Sequence, residues 1–326
     1  MRPHRQKALV GATFSAAALL VMAGCTDGSA AGGADWEPTQ DVTITVAFPA
    51  GGGTDAAARA LAEGLESVRE DLNVVVVNRD GGSGTVGYTY ASQQARNPHE
   101  LTFIEPGFVV VPETTEVPYA EDDFAMVGGV SLYTSVIIAP PGTFSDLSDL
   151  VDQAASDTLT VGFPNATGPQ AISAELIEDS IGHEFEHVVY QNGGEIAAGV
   201  ASGDLDFGLT ALEHAQGFID DGRVEALAVL SDERIENDTF ADVPTATEAG
   251  VDVAFSGFRG VVAGGELTDG QLQYWVDALA DYRDSEAYDE SLDLTMTQEL
   301  DVAGDEFQGY LDEFRSTVTP VLGNLG

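Results

Sequence analysis

From Val42 onward, short β-branched runs alternate with longer stretches of helical spacing. Val42–Phe48 (VTITVAF) alternates as a strand. After Gly51-Gly52-Gly53, the positions Ala57, Ala60, Leu61, Gly64, Leu65 and Val68 form one apolar stripe. They predict a helix from about Thr54 to Arg69, capped by Thr54 or Asp55. Val74–Val77 is a short continuous apolar run of the kind buried in parallel sheets. A turn-rich segment, Asn78–Gly87, leads into a helix ending near Arg96, and Leu101–Glu105 is a third strand. Phe124–Ala139 reads as extended segments passing through Gly128-Gly129. The alternation then continues. Helices are predicted over Ser145–Ala155, Pro169–Ile181, Glu195–Ser202 and Leu212–Asp220, with strands over Leu159–Phe163, Phe185–Tyr190, Leu205–Leu209 and Glu225–Leu230. Asp269–Tyr282 and Gly304–Leu322 read as closing helices. Strands alternating with helices imply an α/β protein with parallel sheets. A chain of 326 residues usually holds two domains.

The first residues follow a different pattern. Arg2, Arg5 and Lys7 precede an apolar run, Ala8–Met22, which ends in Val21-Met22-Ala23-Gly24-Cys25. This is the pattern of a bacterial export signal with a lipobox. Residues 1–24 are therefore expected to be removed, and Cys25 to carry the lipid that tethers the protein outside the membrane. The apolar run is short for a transmembrane helix. Residues 25–38 read as a flexible Gly/Ala/Ser-rich tether. Cys25 is the only cysteine, which excludes an intramolecular disulfide framework and a cysteine-based zinc site.

Charge narrows the function further. Lys+Arg number 12 against 55 Asp+Glu, a formal charge of −43. Beyond residue 7 no lysine occurs, and all remaining bases are arginines. That excludes a nucleic-acid binder or a polybasic membrane binder, both of which need basic patches. Apolar residues at 44% are enough for a real core, so the acidity is not that of a disordered tail. Such a surface repels itself at low salt and is screened at about 1 M, where the Debye length is roughly 3 Å. A saline habitat accounts for it; an acidic lineage bias is the alternative.

Two strand-to-helix loops suggest anion binding. In Phe48-Pro-Ala50-Gly51-Gly52-Gly53-Thr54-Asp55 a strand runs into glycines and then a helix start. Backbone N–H groups and the positive helix end can hold an anion there without a basic side chain. A phosphate loop of the NTPase type would need a lysine after these glycines, and this first loop lacks the dinucleotide pattern G-x-G-x-x-G. Gly81–Gly87, with Gly82, Gly84 and Thr85, repeats the arrangement. A third loop, Phe163–Gln170, offers Asn165, Thr167 and Gly168. Arg259 can contact an anionic ligand bidentately or pair with a surface acid. His183-Glu184-Phe185-Glu186-His187 matches H-E-x-x-H, the zinc hydrolase pattern, which requires both histidines on one helix face. Gly182 closes the preceding helix, however, and the segment continues as a strand. That puts Glu184 on the face opposite the histidines.

Taken together, these segments resemble the solute receptors of tripartite tricarboxylate transporters, the Bug or TctC-type family. The resemblance rests on FPAGGGTD (Phe48–Asp55), VVNRDGGSGTVGY (Val76–Tyr88) and VVYQNGGEIAAGVASGDLDFGLT (Val188–Thr210). ALAVLSDERIENDTFADVPTATEAG (Ala226–Gly250) and FRGVVAG (Phe258–Gly264) extend it. It implies a type II periplasmic-binding-protein fold, with two α/β domains hinged around a cleft. The expected division is residues 37–136 plus 228–326 for one domain and 137–227 for the other. The resemblance also implies no catalysis, no cofactor and no metal. The protein would be a monomer that captures a small carboxylate, citrate-like or a related organic acid, and delivers it to membrane subunits. Carried onto this chain, the ligand residues are Ala50, Gly51, Gly52, Gly53, Thr54, Asp55, Gly82, Gly84, Thr85, Gly107, Asn165, Thr167 and Gly168, with Arg259 added. The chain departs from the family pattern at Glu105-Pro106-Gly107-Phe108 and at Pro169-Gln170. A zinc-dependent hydrolase using His183 and His187, or a receptor feeding a sensor system, is the alternative.

Overall fold

A computed structural model describes residues 36–166 and 168–324. The export signal, Cys25 and Thr167 lie outside the described residues. The first strand β1 (Val42–Val46) is followed by α1 (Gly53–Val68), β2 (Val74–Asn78), α2 (Thr85–Ser92), β3 (Glu100–Ile104) and α3 (Gly107–Thr114). The long β4 (Phe124–Ala139) comes next, then α4 (Leu147–Ala154), β5 (Thr160–Pro164), α5 (Pro169–Ile181) and β6 (Glu186–Tyr190). After these come α6 (Gly193–Ser202), β7 (Phe207–Ala211), α7 (Leu212–Asp220) and β8 (Glu225–Val229). The chain closes with β9 (Ser256–Gly264), α8 (Asp269–Arg283), α9 (Glu286–Thr295), β10 (Gln298–Glu299) and α10 (Gly304–Val318).

The strands run β2-β1-β3-β9-β4-β7-β5-β6 across a curled sheet, with β8 and β10 also paired to β4. β1 pairs in parallel with β2 and β3, as expected of buried βα units. β9 is inserted antiparallel between β3 and β4. β4 joins the two halves. Its residues from Phe124 to Thr134 pair with β9, and from Ser135 onward it pairs with β7 and β8 instead. At the change of partner the hydroxyls of Thr134 and Ser256 lie 2.6 Å apart.

Each half has its own two-sided core. In the first, Ile44, Leu61, Phe103 and Trp275 pack under α1 and α8, while Tyr88, Phe108, Phe258 and Phe307 fill the opposite face. In the second, Val161, Phe163 and Ile177 pack under α4 and α5, with Val136, Ile196 and Leu212 on the other face. The first crossing, expected near residue 137, falls within β4. Leu230, Ala246, Val251 and Val253 pack with Phe163 in the second half, and the backbone N–H of Phe255 donates to Leu230 O. Packing therefore keeps the chain in the second half well past residue 228, as far as β9.

Most strands and helices fall within a few residues of where hydrophobic spacing puts them. Four elements have no counterpart in the sequence reading: α3, β9, α9 and the two-residue β10. The α3 segment, Gly107-Phe-Val-Val-Val-Pro112, is β-branched and contains proline, both poor helix formers. Burial of Phe108, Val109, Val110 and Val111 overrides that local preference.

Candidate functional site

A cleft of about 250 Å³ opens between the halves, lined from both sides. Four helices start on it. Gly52, Gly53 and Thr54 bring the N-terminus of α1 from the first half. From the second half come Gly168 and Gln170 at α5, Asn192 and Gly193 at α6, and Ala211 and Glu213 at α7. Each is preceded by a strand whose C-terminal end points at the cleft, the position where open α/β sheets bind ligands. Unpaired N–H groups and dipole ends from both halves thus face one space.

Buried groups hold the first loop in place. Asp55 is only 4% exposed and accepts hydrogen bonds from Gly51 N (2.8 Å), Arg59 Nε (3.0 Å) and Asn78 Nδ2 (2.9 Å). Burial pushes its carboxyl up, but the Arg59, Gly51 and Asn78 hydrogen bonds together outweigh that and hold it below the usual range. Thr54 Oγ1 donates to Glu105 Oε2 at 2.5 Å, joining α1 to the end of β3. Burial raises the Glu105 carboxyl by more than the Thr54 hydrogen bond and the charge of Arg259 lower it.

Arg259 is the central feature of the cleft. It sits on β9, 3% exposed, opposite Ser131 of β4. Its Nε and Nη1 are buried and have no hydrogen-bond partner. Six of the nine described arginines pair with carboxylates: Arg59, Arg69, Arg96, Arg234, Arg283 and Arg315. Among the described residues, Arg259 alone is buried without such a pair. The surface-acid alternative for Arg259 is thereby corrected: no described carboxylate lies within salt-bridge distance of it. Its side chain stands over Tyr133 instead and approaches the first turn of α1. A Cβ on Gly53 would lie 3.0 Å from Arg259 Nη2 and 3.4 Å from Glu213 Oε1. On the far wall, a Cβ on Gly193 would fall 2.3 Å from Thr210 Oγ1. Thr210 Oγ1 and His214 Nδ1 are likewise buried without hydrogen-bond partners.

Of the residues expected to bind ligand, the cleft brings together Gly52, Gly53, Thr54, Asn165, Gly168 and Arg259. Ala50, Gly51, Asp55, Gly82, Gly84, Thr85 and Gly107 do not line it. Asp55 anchors the first loop from below. The second loop packs elsewhere: a Cβ on Gly107 would lie 3.2 Å from Ser83 O and 3.6 Å from Phe48 Cζ. Phe48 itself lines the cleft, so this loop supports the wall from behind. Sequence reasoning missed Tyr133, Gln170, Asn192, Gly193, Thr210, Glu213 and His214. Asn192-Gly193-Gly194 could have been found, since it repeats the strand–glycine–helix order of the first loop.

The H-E-x-x-H match does not form a metalloprotease helix. His183 follows the left-handed Gly182 that ends α5, and His187 lies in β6. His187 Nε2 lies 3.0 Å from Glu178 Oε1 and Nδ1 lies 3.8 Å from Glu175 Oε1. Those three side chains are close enough to share a cation, but the imidazole is already engaged with Glu178. Glu178 also accepts from Phe185 N.

Two α/β halves around such a cleft define a solute-binding protein of the periplasmic-binding-protein type. The chain belongs to the tripartite tricarboxylate transporter family of receptors, whose model matches residues 57–312. It is 31% identical over 233 residues to Protein BugT of Bordetella pertussis, covering 67% of this chain and 68% of BugT. Its fold matches that of Rpa4515 of R. palustris with adipate (TM-score 0.77, 21% identity, covering 89% and 99% of the two chains). It also matches MatC from Rhodopseudomonas palustris with bound malate (TM-score 0.74, 20% identity, 88% and 100%). No helix among the described residues is long and apolar enough to cross a membrane.

Proposed function

We propose that the cleft captures a small carboxylate, a citrate-like di- or tricarboxylate or related organic acid. The receptor then delivers it to the membrane subunits of a tripartite transporter. The observation that carries this reading is Arg259, a guanidinium buried without a carboxylate where four helix N-termini converge. A buried unpaired charge costs several kcal/mol. A ligand carboxylate satisfies it with charge-assisted hydrogen bonds, while the N–H groups of α1, α5, α6 and α7 share the remaining lone pairs. The malate and adipate on the two R. palustris proteins belong to the same chemical class.

Because the walls come from both halves, binding closes them together by a hinge at the β4 and β9 crossings. We assign one domain to residues up to about Thr134 together with Ser256 onward, and the other to the residues between. The protein acts as a monomer outside the cytoplasmic membrane, anchored through Cys25, and carries out no catalysis. Thermal denaturation of purified protein against a panel of small carboxylates tests the reading. A saturable rise in Tm with at least one acid supports it, and no shift with any acid overturns it. Mass spectrometry of the N-terminal peptide tests the anchor, which predicts a diacylglyceryl mass on Cys25 that is lost in Cys25→Ser.

A further inference from the structure

The charges in the cleft do not balance in favour of a polyanion. Facing Arg259 are two carboxylates, Glu105 and Glu213. Glu105 is held by Thr54. Glu213, in the first turn of α7, makes no hydrogen bond among the described residues; its one ion-pair contact among them is His214 Nδ1, at 3.9 Å. Its Oε1 and Arg259 Nη2 flank the same bare side of Gly53, on opposite walls, yet no ion pair joins them. A guanidinium nitrogen and a carboxylate oxygen thus approach one point without forming a salt bridge to each other. If a ligand carboxylate takes the Arg259 side, any second negative group nearby meets Glu213, and like charges in a partly desolvated site repel strongly. A positive group there meets a carboxylate that makes no hydrogen bond among the described residues.

We infer that the cleft selects a zwitterion: a small acid whose carboxylate pairs with Arg259 and the helix N-termini, and whose ammonium group pairs with Glu213. This rests on the carboxylate-receptor reading and narrows it. Aromatic and proline walls at Phe48, Tyr133, Pro164 and Pro169 leave room for a short aliphatic skeleton between the charged ends.

Matched acids test the inference by calorimetric titration of the purified full-length protein. Succinate, malate and aspartate share one skeleton and differ in carrying a hydrogen, a hydroxyl or an ammonium group. Butyrate and 4-aminobutyrate form a second pair without the extra carboxylate. The expected result is at least tenfold tighter binding of the ammonium-bearing member in one of the two series. Glu213→Gln is expected to reduce that preference to less than threefold. Malate or succinate binding as tightly as aspartate, with butyrate matching 4-aminobutyrate, overturns the inference but leaves the receptor reading intact. An ammonium preference unchanged in Glu213→Gln also overturns it. If none of the five acids binds the wild-type protein, the inference falls. The receptor reading itself is then decided by the wider carboxylate panel.

Discussion

The guanidinium carbon of Arg259 lies 4.7 Å from the ring centroid of Tyr133, and the two residues sit on the adjacent strands β9 and β4. The ring face stabilises a cation without spending a carboxylate, by about 0.5–2 kcal/mol. Arg259 is thus held in position while its hydrogen-bonding capacity stays largely unused.

Replacing Arg259 should therefore separate binding from folding. For Arg259→Met the expected loss of ligand affinity is about 2–5 kcal/mol, the range for removing one partner of a buried charge pair. Ligand-free Tm should hold or rise, because an unsatisfied buried charge is removed. Titration together with thermal melting checks both. A variant that melts well below wild type yet still binds would count against the assigned role.

Gly53→Ala tests the close approach at α1. Alanine favours a helix over glycine by about 1 kcal/mol. The new methyl, however, meets Arg259 Nη2 at 3.0 Å and Glu213 Oε1 at 3.4 Å. The expected outcome is unchanged or slightly higher Tm with affinity reduced at least tenfold, measured by titration against whichever acid binds wild type.

Asp55 should matter to stability rather than to ligand contact. Asp55→Ala removes the acceptor for Gly51, Arg59 and Asn78. An expected cost of about 1–3 kcal/mol follows from losing hydrogen bonds to a buried charged acceptor, readable by urea denaturation. Its pKa is lowered in the fold, so its contribution is complete above the unfolded value near 3.8. That contribution is lost as pH falls through the lower folded value. Wild type should lose more stability than Asp55→Asn on acidification through that window.

His187 responds to pH in the opposite direction. The Glu178 hydrogen bond raises its pKa against the opposing effect of burial, and the charges of Glu178 and Glu175 add to the rise. Its stabilisation is complete below the ordinary value of 6.5 and is lost as pH rises through the higher folded value. A melting series across neutral pH should show this decline in wild type and a flatter profile in His187→Gln.

Salt gives an independent check on the grip. A protein of formal charge −43 repels anions at a distance, and about 1 M salt removes that repulsion. Contacts made inside the cleft are screened far less. Ligand affinity is therefore expected to hold or rise as salt is raised to about 1 M. Collapse of affinity in protein that remains folded would contradict a site made of buried donors.

How far the site could be read from sequence depends on how local its physics is. The glycine loop at Gly52-Gly53-Thr54 was legible because a strand, a flexible turn and a helix start are adjacent in the chain. Asn192-Gly193 follows the same order and was open to the same reasoning. Arg259 was not decidable, since whether an arginine is paired depends on which acids the fold brings near it. Glu213 looked like any acid in a first helical turn, where the dipole already favours one. The second glycine loop does not line the cleft. Gly82, Gly84 and Thr85 have the right local pattern, but the start of α3, hidden in a β-branched run, places Gly107 and Phe48 between that loop and the cleft.

The partner switch within β4, between Thr134 and Ser135, bears on how the protein lets go. Arg259 and Tyr133 lie beside that pivot, whereas the starts of α5, α6 and α7 belong to the half that turns about it. Any rotation there moves the distant fingers a long way and the guanidinium hardly at all. In the proposed hinge closure, release proceeds from the rim inward, with the contact nearest the axle the last to break.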